Sequence, residues 1–271
     1  GHADVAWAIM HALAAEPICE RARIPVMIVS GSAPAISEAG DYIFRSTPSD
    51  AEAAKLLYRH IAAKHKRVGI LAEETEFAQA LKQAFLSANQ NGQLALTSQD
   101  FVSGTTDFRT LLTILRGERI EGLFLDPQTE FGFAAVLHQI KELKWPVPIY
   151  GAYWPASPAL LKIAGREAEG IEFVTTPLLD GWLNDEGVRL YNKYKAEYGP
   201  LRSVDSVFPS TLEGFRSMLM ALRSGEDPRA YLYRTKFSGI FGPYRFDSRG
   251  DIEGYSFVML QIKDGQPRRL R

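Results

Sequence analysis

Short β-branched runs alternate with amphipathic stretches along most of the chain. VMIVS, from Val26 to Ser30, has strand length and no polar break, and it predicts a buried strand. From Asp50 to Lys64, Ala53, Leu56, Leu57 and Ile61 share one helical face, with Asp50 as a good N-cap. RVGILA at 67–72 predicts the next strand, and 76–92 a helix closed by Gly92. Residues 94–101 predict a strand, and 106–117 a helix with Thr106 or Asp107 at its cap and Gly117 at its end. Strands follow at 120–126 and 147–151, with a helix at 130–145 between them. A short helix at 157–165 carries Pro158 in its first turn, and GIEFVTTP at 170–177 is a further strand.

This is a run of βα units, which folds as a parallel sheet with helices on both faces. Ligands of such sheets bind outside the carboxyl ends of the strands, so the residues just after each strand are the functional candidates. After Pro177 the pattern changes to two helices, 184–199 and 210–225, and a hairpin-like stretch at 239–262. The sequence contains no internal repeat and no low-complexity linker.

A length of 271 residues fits one large domain or two ordinary ones. With 46% hydrophobic residues there is ample material for real cores, and a net charge of -1 leaves no nucleic-acid footprint. No apolar run approaches a membrane span, so the chain is not membrane-spanning by this measure. The one cysteine, Cys19, excludes an intrachain disulfide, which fits either the cytosol or a periplasm. The opening residues 1–17 lack a basic n-region and a clean apolar h-region, so a signal peptide is not in this chain.

Enzyme signatures are missing. There is no phosphate-binding P-loop, no dinucleotide-binding G-x-G-x-x-G after a strand and no C-x-x-C. His60 and His65 are five apart on an expected helix, so they do not share a face as metal ligands would. His138 reads as a solvated or packed histidine. Glu73-Glu74 and Asp205-Ser206 carry no nucleophile–base pattern. Lys64 to Arg67 reads as complement to a helix C-terminus. No cofactor, no metal and no enzymatic activity are expected.

Four segments carry a family resemblance, in order along the chain. IPVMIVSGSAPAISEAGDYIFRSTPSD combines a strand, a Ser/Ala-Pro loop and an FR-x-x-P-x-D crossover. GTTDFRTLLTILR opens as a Gly-x-x-Asp-Phe helix start. IAGREAEGIEFVTTP contains an Ala-Gly…Ala-Glu-Gly turn before a strand. FSGIFGPYRFDSRGDIEGYSFVMLQIKDGQ closes with F-D-x-x-G-D. Together they resemble the leucine/isoleucine/valine-type (type I periplasmic) substrate-binding proteins of ABC transporters, from about Pro17 to the end. The resemblance implies an α/β fold of two doubly wound parallel-sheet lobes joined by three crossovers, near 46–50, 175–178 and 256–257. One lobe would take 1–46 and 178–256, the other 47–177 and 257–271. The family's first lobe opens with βα units that have no counterpart here. The expectation is therefore an incomplete first lobe with exposed apolar surface, in a truncated or proteolysed form of a longer protein.

Amino-acid receptors of this family hold a ligand carboxylate with hydroxyls and backbone N–H groups and an ammonium with acceptors. Ser30, Gly31 and Ser32 match the family's carboxylate loop; a loop and N-cap without ligand contact is the alternative. Phe77 stands where the family usually has Tyr, and either stacks on ligand or packs in the core at a helix start. Gln128 and Thr129 fall near another contact position. At the usual position of the amine-binding Glu the chain has Tyr153, beside Trp154: an aromatic wall, or a cap that packs under the loop. A buried ammonium without a carboxylate costs several kcal/mol. Glu130, Glu73 or Glu74 could substitute, but an aromatic or apolar carboxylate, or an amide, suits these residues better.

The resemblance thus implies an extracytoplasmic solute-binding protein, periplasmic or lipid-anchored, capturing a small-molecule ligand by hinge closure of an interlobe cleft. Its partners would be ABC transporter membrane subunits, and it would act as a monomer. The alternative is a ligand-sensing regulatory domain of the same fold with no transport role.

Overall fold

The computed structural model describes residues 14–201 and 205–270. Most of the opening segment read for a signal peptide, residues 1–13, lies outside the described residues. The first elements are α1 (14–22), β1 (Val26–Ile28), a 3-10 turn (Pro34–Glu38), β2 (Ile43–Arg45) and α2 (Asp50–Ala62). There follow β3 (Arg67–Glu73), α3 (Glu76–Ala88), β4 (Ala95–Phe101), α4 (Arg109–Gly117), β5 (Gly122–Asp126) and α5 (Glu130–Glu142). Next are β6 (Ile149–Ala152), α6 (Pro158–Ala164), β7 (Glu172–Thr175), α7 (Asp185–Tyr198), α8 (Val207–Arg223) and α9 (Pro228–Arg234). The chain closes with β8 (Phe237–Gly239), β9 (Gly242–Phe246), β10 (Ile252–Glu253), β11 (Val258–Lys263) and β12 (Gln266–Arg269).

Two compact units result. One runs to Asp50 and again from Thr176 to Ser256; the other runs from Ala51 to Thr175 and again from Phe257. The second unit holds a seven-stranded sheet in the order β12-β11-β7-β6-β5-β3-β4. The expected α/β class is therefore what the fold shows, though this sheet is not purely parallel. The sheet is mixed, because β11 pairs antiparallel with β7 and β12 antiparallel with β11, while β3 to β7 are parallel.

Strand alternation sorts the core of this unit into two faces. Val68, Ile70 and Ala72 of β3 join Phe124, Tyr150, Ala152 and Val174 under Leu57 and Ile61 of α2 and Phe85 of α3. Gly69 turns to the other side, where a Cβ would meet Ile120, Leu123 and Leu115. Gly151 does the same against Phe133 of α5.

Two helix ends differ from their sequence reading. α4 begins at Arg109, and neither Thr106 nor Asp107 is its cap; the N-cap is Phe108, without a side-chain bond. Phe108 is fully buried and its N–H donates to Gln139 Oε1 at 2.6 Å, so core packing fixes the start. α3 ends at Ala88, ahead of Gly92, because the Asn89 side chain bonds both the N–H and C=O of Leu94.

The first unit contains, among its described residues, the parallel pair β1–β2 and a separate antiparallel sheet, β10-β9-β8. The loop between β1 and β2 contains the 3-10 turn, with Pro34 in its first turn. α8 starts earlier than its sequence reading, with Pro209 tolerated in the first turn. Its buried face, Ser210, Gly214, Ser217 and Ala221, follows helical spacing, while Phe215 and Leu222 are exposed. Ile18 and Ile24 are exposed as well.

Candidate functional site

In the second unit the parallel strands run β4-β3-β5-β6-β7, so chain order reverses between β3 and β5. The carboxyl end at such a reversal is where open α/β sheets bind ligands. Glu73 ends β3 and Asp126 ends β5, and both are buried. The Glu73 carboxylate accepts from Ser103 Oγ at 2.6 Å and from the Gln128 N–H at 2.6 Å. One side chain thereby ties together the segments that follow β3, β4 and β5. Gln128 is buried, and its Nε2 donates to Asp126 Oδ1 at 2.7 Å. Thr129 is exposed and caps α5, its Oγ1 accepting from the Gly132 N–H at 3.0 Å. Glu130 accepts from Ser157 Oγ at 3.1 Å.

Phe77 and Tyr153 come together, with ring centroids 6.0 Å apart. Phe77 sits in the first turn of α3, whose Thr75 cap accepts from the Ala78 N–H. Tyr153 follows β6 with φ 56° and ψ -60°, a sparsely populated conformation for a residue with a Cβ. Its N–H still donates to Val174 O at 2.9 Å, and its ring lies 6.1 Å from Phe257. Trp154 is half-buried and opens a 3-10 turn (Trp154–Ala156). Phe257, just before β11, is a ring the sequence reasoning missed. Its only sequence signal is an aromatic residue ahead of the final apolar strand, and nothing local pairs it with Tyr153.

In the first unit, Ser30 is exposed, Gly31 is buried and Ser32 is half-buried. Ser32 donates its hydroxyl to Asp50 Oδ2 at 2.8 Å, and its carbonyl accepts from the Asp50 N–H at 2.8 Å. The loop after them is pinned from beneath: fully buried Arg45 donates to Ala33 O at 2.7 Å and to Asp251 Oδ1 at 2.6 Å.

A second polar cluster lies at the amino ends of the strands in the second unit. α2 stops at Ala62, so His65 is not on the helix with His60, and both rings pack against Tyr150, at centroid distances of 5.6 Å for His65 and 6.1 Å for His60. His65 Nε2 is 2.8 Å from the Tyr150 hydroxyl, and Glu172 bonds both His60 and Lys64 at 2.5 Å. Burial, with Glu172 nearby, pushes the Tyr150 hydroxyl up to about 12. Burial is also the main cause that lowers His65. Among the described residues no group of three or more His, Cys, Asp or Glu forms a metal site, and no helix is long and apolar enough to cross a membrane.

Together, a two-unit α/β chain with candidate residues after its strands defines a ligand-binding architecture, and comparison assigns the family. The chain belongs to the periplasmic binding protein family, whose model matches residues 2–266. The Leu/Ile/Val-binding protein of Escherichia coli (strain K12) is 25% identical over 254 residues, which cover 90% of this chain and 67% of that one. A leucine binding protein from Thermotoga maritima has the same fold, with a TM-score of 0.78 at 20% identity, covering 96% of this chain and 76% of that chain. So does a solute binding protein of an ABC transporter from R. palustris, solved in complex with benzoate, with a TM-score of 0.75 at 14% identity and coverage of 96% and 73%.

Proposed function

We propose that this protein captures a small organic acid whose body is aromatic or otherwise apolar, or the matching amide, and releases it unchanged to the membrane subunits of an ABC importer on the extracytoplasmic side. The observation that carries the ligand class is the use made of the acids at the carboxyl ends of the second unit's strands. Glu73 is already engaged by Ser103 and Gln128, and Glu130 by Ser157. Both carboxylates thus already serve as acceptors within the protein, and Tyr153 occupies the position at which the family's amine-binding Glu is expected. In their place are the Phe77 and Tyr153 rings, backed by Phe257. Aromatic faces give apolar contact without charge. In this reading Ser30, Gly31 and Ser32 supply hydroxyl and N–H donors to the carboxylate. Phe77, Tyr153 and Trp154 line its ring, and Gln128 and Thr129 contribute polar contacts.

The ligand class has relatives on both sides. The benzoate complex is of an aromatic acid, whereas the curated relatives bind leucine, isoleucine and valine. The deciding experiment is native mass spectrometry of the purified protein, followed by denaturation and identification of any released small molecule. An aromatic or aliphatic acid lacking an amine supports the proposal. A released α-amino acid overturns it.

A further inference from the structure

The geometry points to Glu73 as a positioning residue that sets the Gln128 segment through hydrogen-bond acceptance, with its charge playing no part in ligand recognition. This rests on the proposed role of Gln128 in the site. Glu73 lies at the end of β3, where chain order reverses, and only 5% of it is exposed. Each carboxylate oxygen has its own partner, the Ser103 hydroxyl on Oε1 and the Gln128 N–H on Oε2, both at 2.6 Å. Its backbone is held equally firmly: the Glu73 carbonyl accepts from the Thr75 N–H at 2.8 Å and from Gln79 Nε2 at 3.1 Å. The carboxylate is therefore fixed in place, and it fixes in turn the main chain from which Gln128 and Thr129 project.

A buried N–H that loses its acceptor has no cheap substitute, so the bond from Gln128 decides where that loop sits. The Gln128 side chain is held in the same segment, its Nε2 donating to Asp126 Oδ1 at 2.7 Å.

The chemistry of glutamine makes the two possible roles of Glu73 separable. In Glu73→Gln the amide oxygen can still accept from the Gln128 N–H. The new NH₂ can donate to Ser103 Oγ, since a hydroxyl both donates and accepts. The shape and both hydrogen bonds persist while the charge is removed. Glu73→Ala removes both bonds.

The test compares wild type, Glu73→Gln and Glu73→Ala by two readouts. One is hydrogen exchange of the Gln128 amide by NMR in the ligand-free protein; the other is calorimetric titration with benzoate and with leucine. The expected result is slow Gln128 exchange in wild type and Glu73→Gln, and exchange faster by about tenfold or more in Glu73→Ala. Whichever of the two ligands binds wild type should bind Glu73→Gln within about threefold and Glu73→Ala at least about tenfold more weakly. Unchanged Gln128 exchange in Glu73→Ala overturns the positioning role. A Glu73→Gln variant that keeps slow exchange but loses binding as fully as Glu73→Ala overturns it too, by making the charge a direct contact. If leucine binds and benzoate does not, the proposed ligand class fails, while the exchange result still decides the role of Glu73.

Discussion

Arg45 and Asp251, 206 residues apart, form a buried ion pair in which Arg45 donates to Asp251 Oδ1 from Nε at 3.0 Å and from Nη2 at 2.6 Å. Ser37 closes the network: its hydroxyl donates to Asp251 Oδ2 at 2.6 Å and accepts from Arg45 Nη2 at 2.8 Å. Two of the segments that carry the family resemblance, FR-x-x-P-x-D and F-D-x-x-G-D, thus meet at one point. Gly250 lets them approach. Its φ is 76°, a Cβ in its place would stand 2.1 Å from Ile43 O, and its carbonyl accepts from the Arg45 N–H at 2.8 Å.

Removing either partner leaves an uncompensated buried charge. Asp251→Ala is expected to destabilise the protein by about 3–5 kcal/mol. Arg45→Lys should also destabilise it, because one ammonium cannot reproduce the fork that reaches Asp251, Ser37 and Ala33. Urea denaturation checks both. A loss of less than about 1 kcal/mol for Asp251→Ala, the level of an exposed pair, would mean that the pair does not hold this unit's core together.

Tyr153 provides a backbone test independent of ligand. Its φ of 56° and ψ of -60° cost little for glycine and more for any residue with a Cβ. Both Tyr153→Gly and Tyr153→Ala lose the ring contacts to Phe77 and Phe257. The glycine variant should nevertheless be the more stable of the two by about 1 kcal/mol, against the usual order. Equal stability in chemical denaturation, or a more stable alanine variant, would mean the turn is not strained.

The cluster around Tyr150 predicts a pH dependence. Burial holds His65 below its ordinary value; Lys64 and His60 lower it further, while Glu121 and Glu172 oppose them. The unfolded chain therefore binds a proton at His65 before the folded chain does. The resulting stability is fully present above the unfolded value of about 6.5. It is lost as pH falls through the depressed folded value. Glu172 does not share that window. Burial alone would raise it, but its bonds to Lys64 and His60 outweigh burial and hold it low, so its contribution is lost only at more acid pH. Thermal melts between pH 7.5 and 5 should show a smaller drop for His65→Gln than for wild type. Parallel curves would assign the acid sensitivity elsewhere.

The second unit was legible in the sequence because each βα unit carries its own periodicity and punctuation, as at Val68–Ala72 and Ala53–Ile61. What was not legible depends on partners distant in the chain. The antiparallel direction of β11 follows from where the chain re-enters this unit at Phe257. The start of α4 follows from Gln139 capturing the Phe108 N–H. His60 and His65 read as unrelated only if the helix continues past Ala62, and it does not. In the candidate site, Phe77 and Tyr153 were visible as residues after strands. Phe257 and the bracing role of Glu73 were not, because each acts through residues that local pattern does not connect.

The central claim, an aromatic or apolar acid as ligand, is tested most directly by isothermal titration of the protein with benzoate and, separately, with leucine. Saturable benzoate binding that weakens in Tyr153→Ala, with little or no heat from leucine, is the predicted result. Saturable leucine binding with no response to benzoate would contradict it.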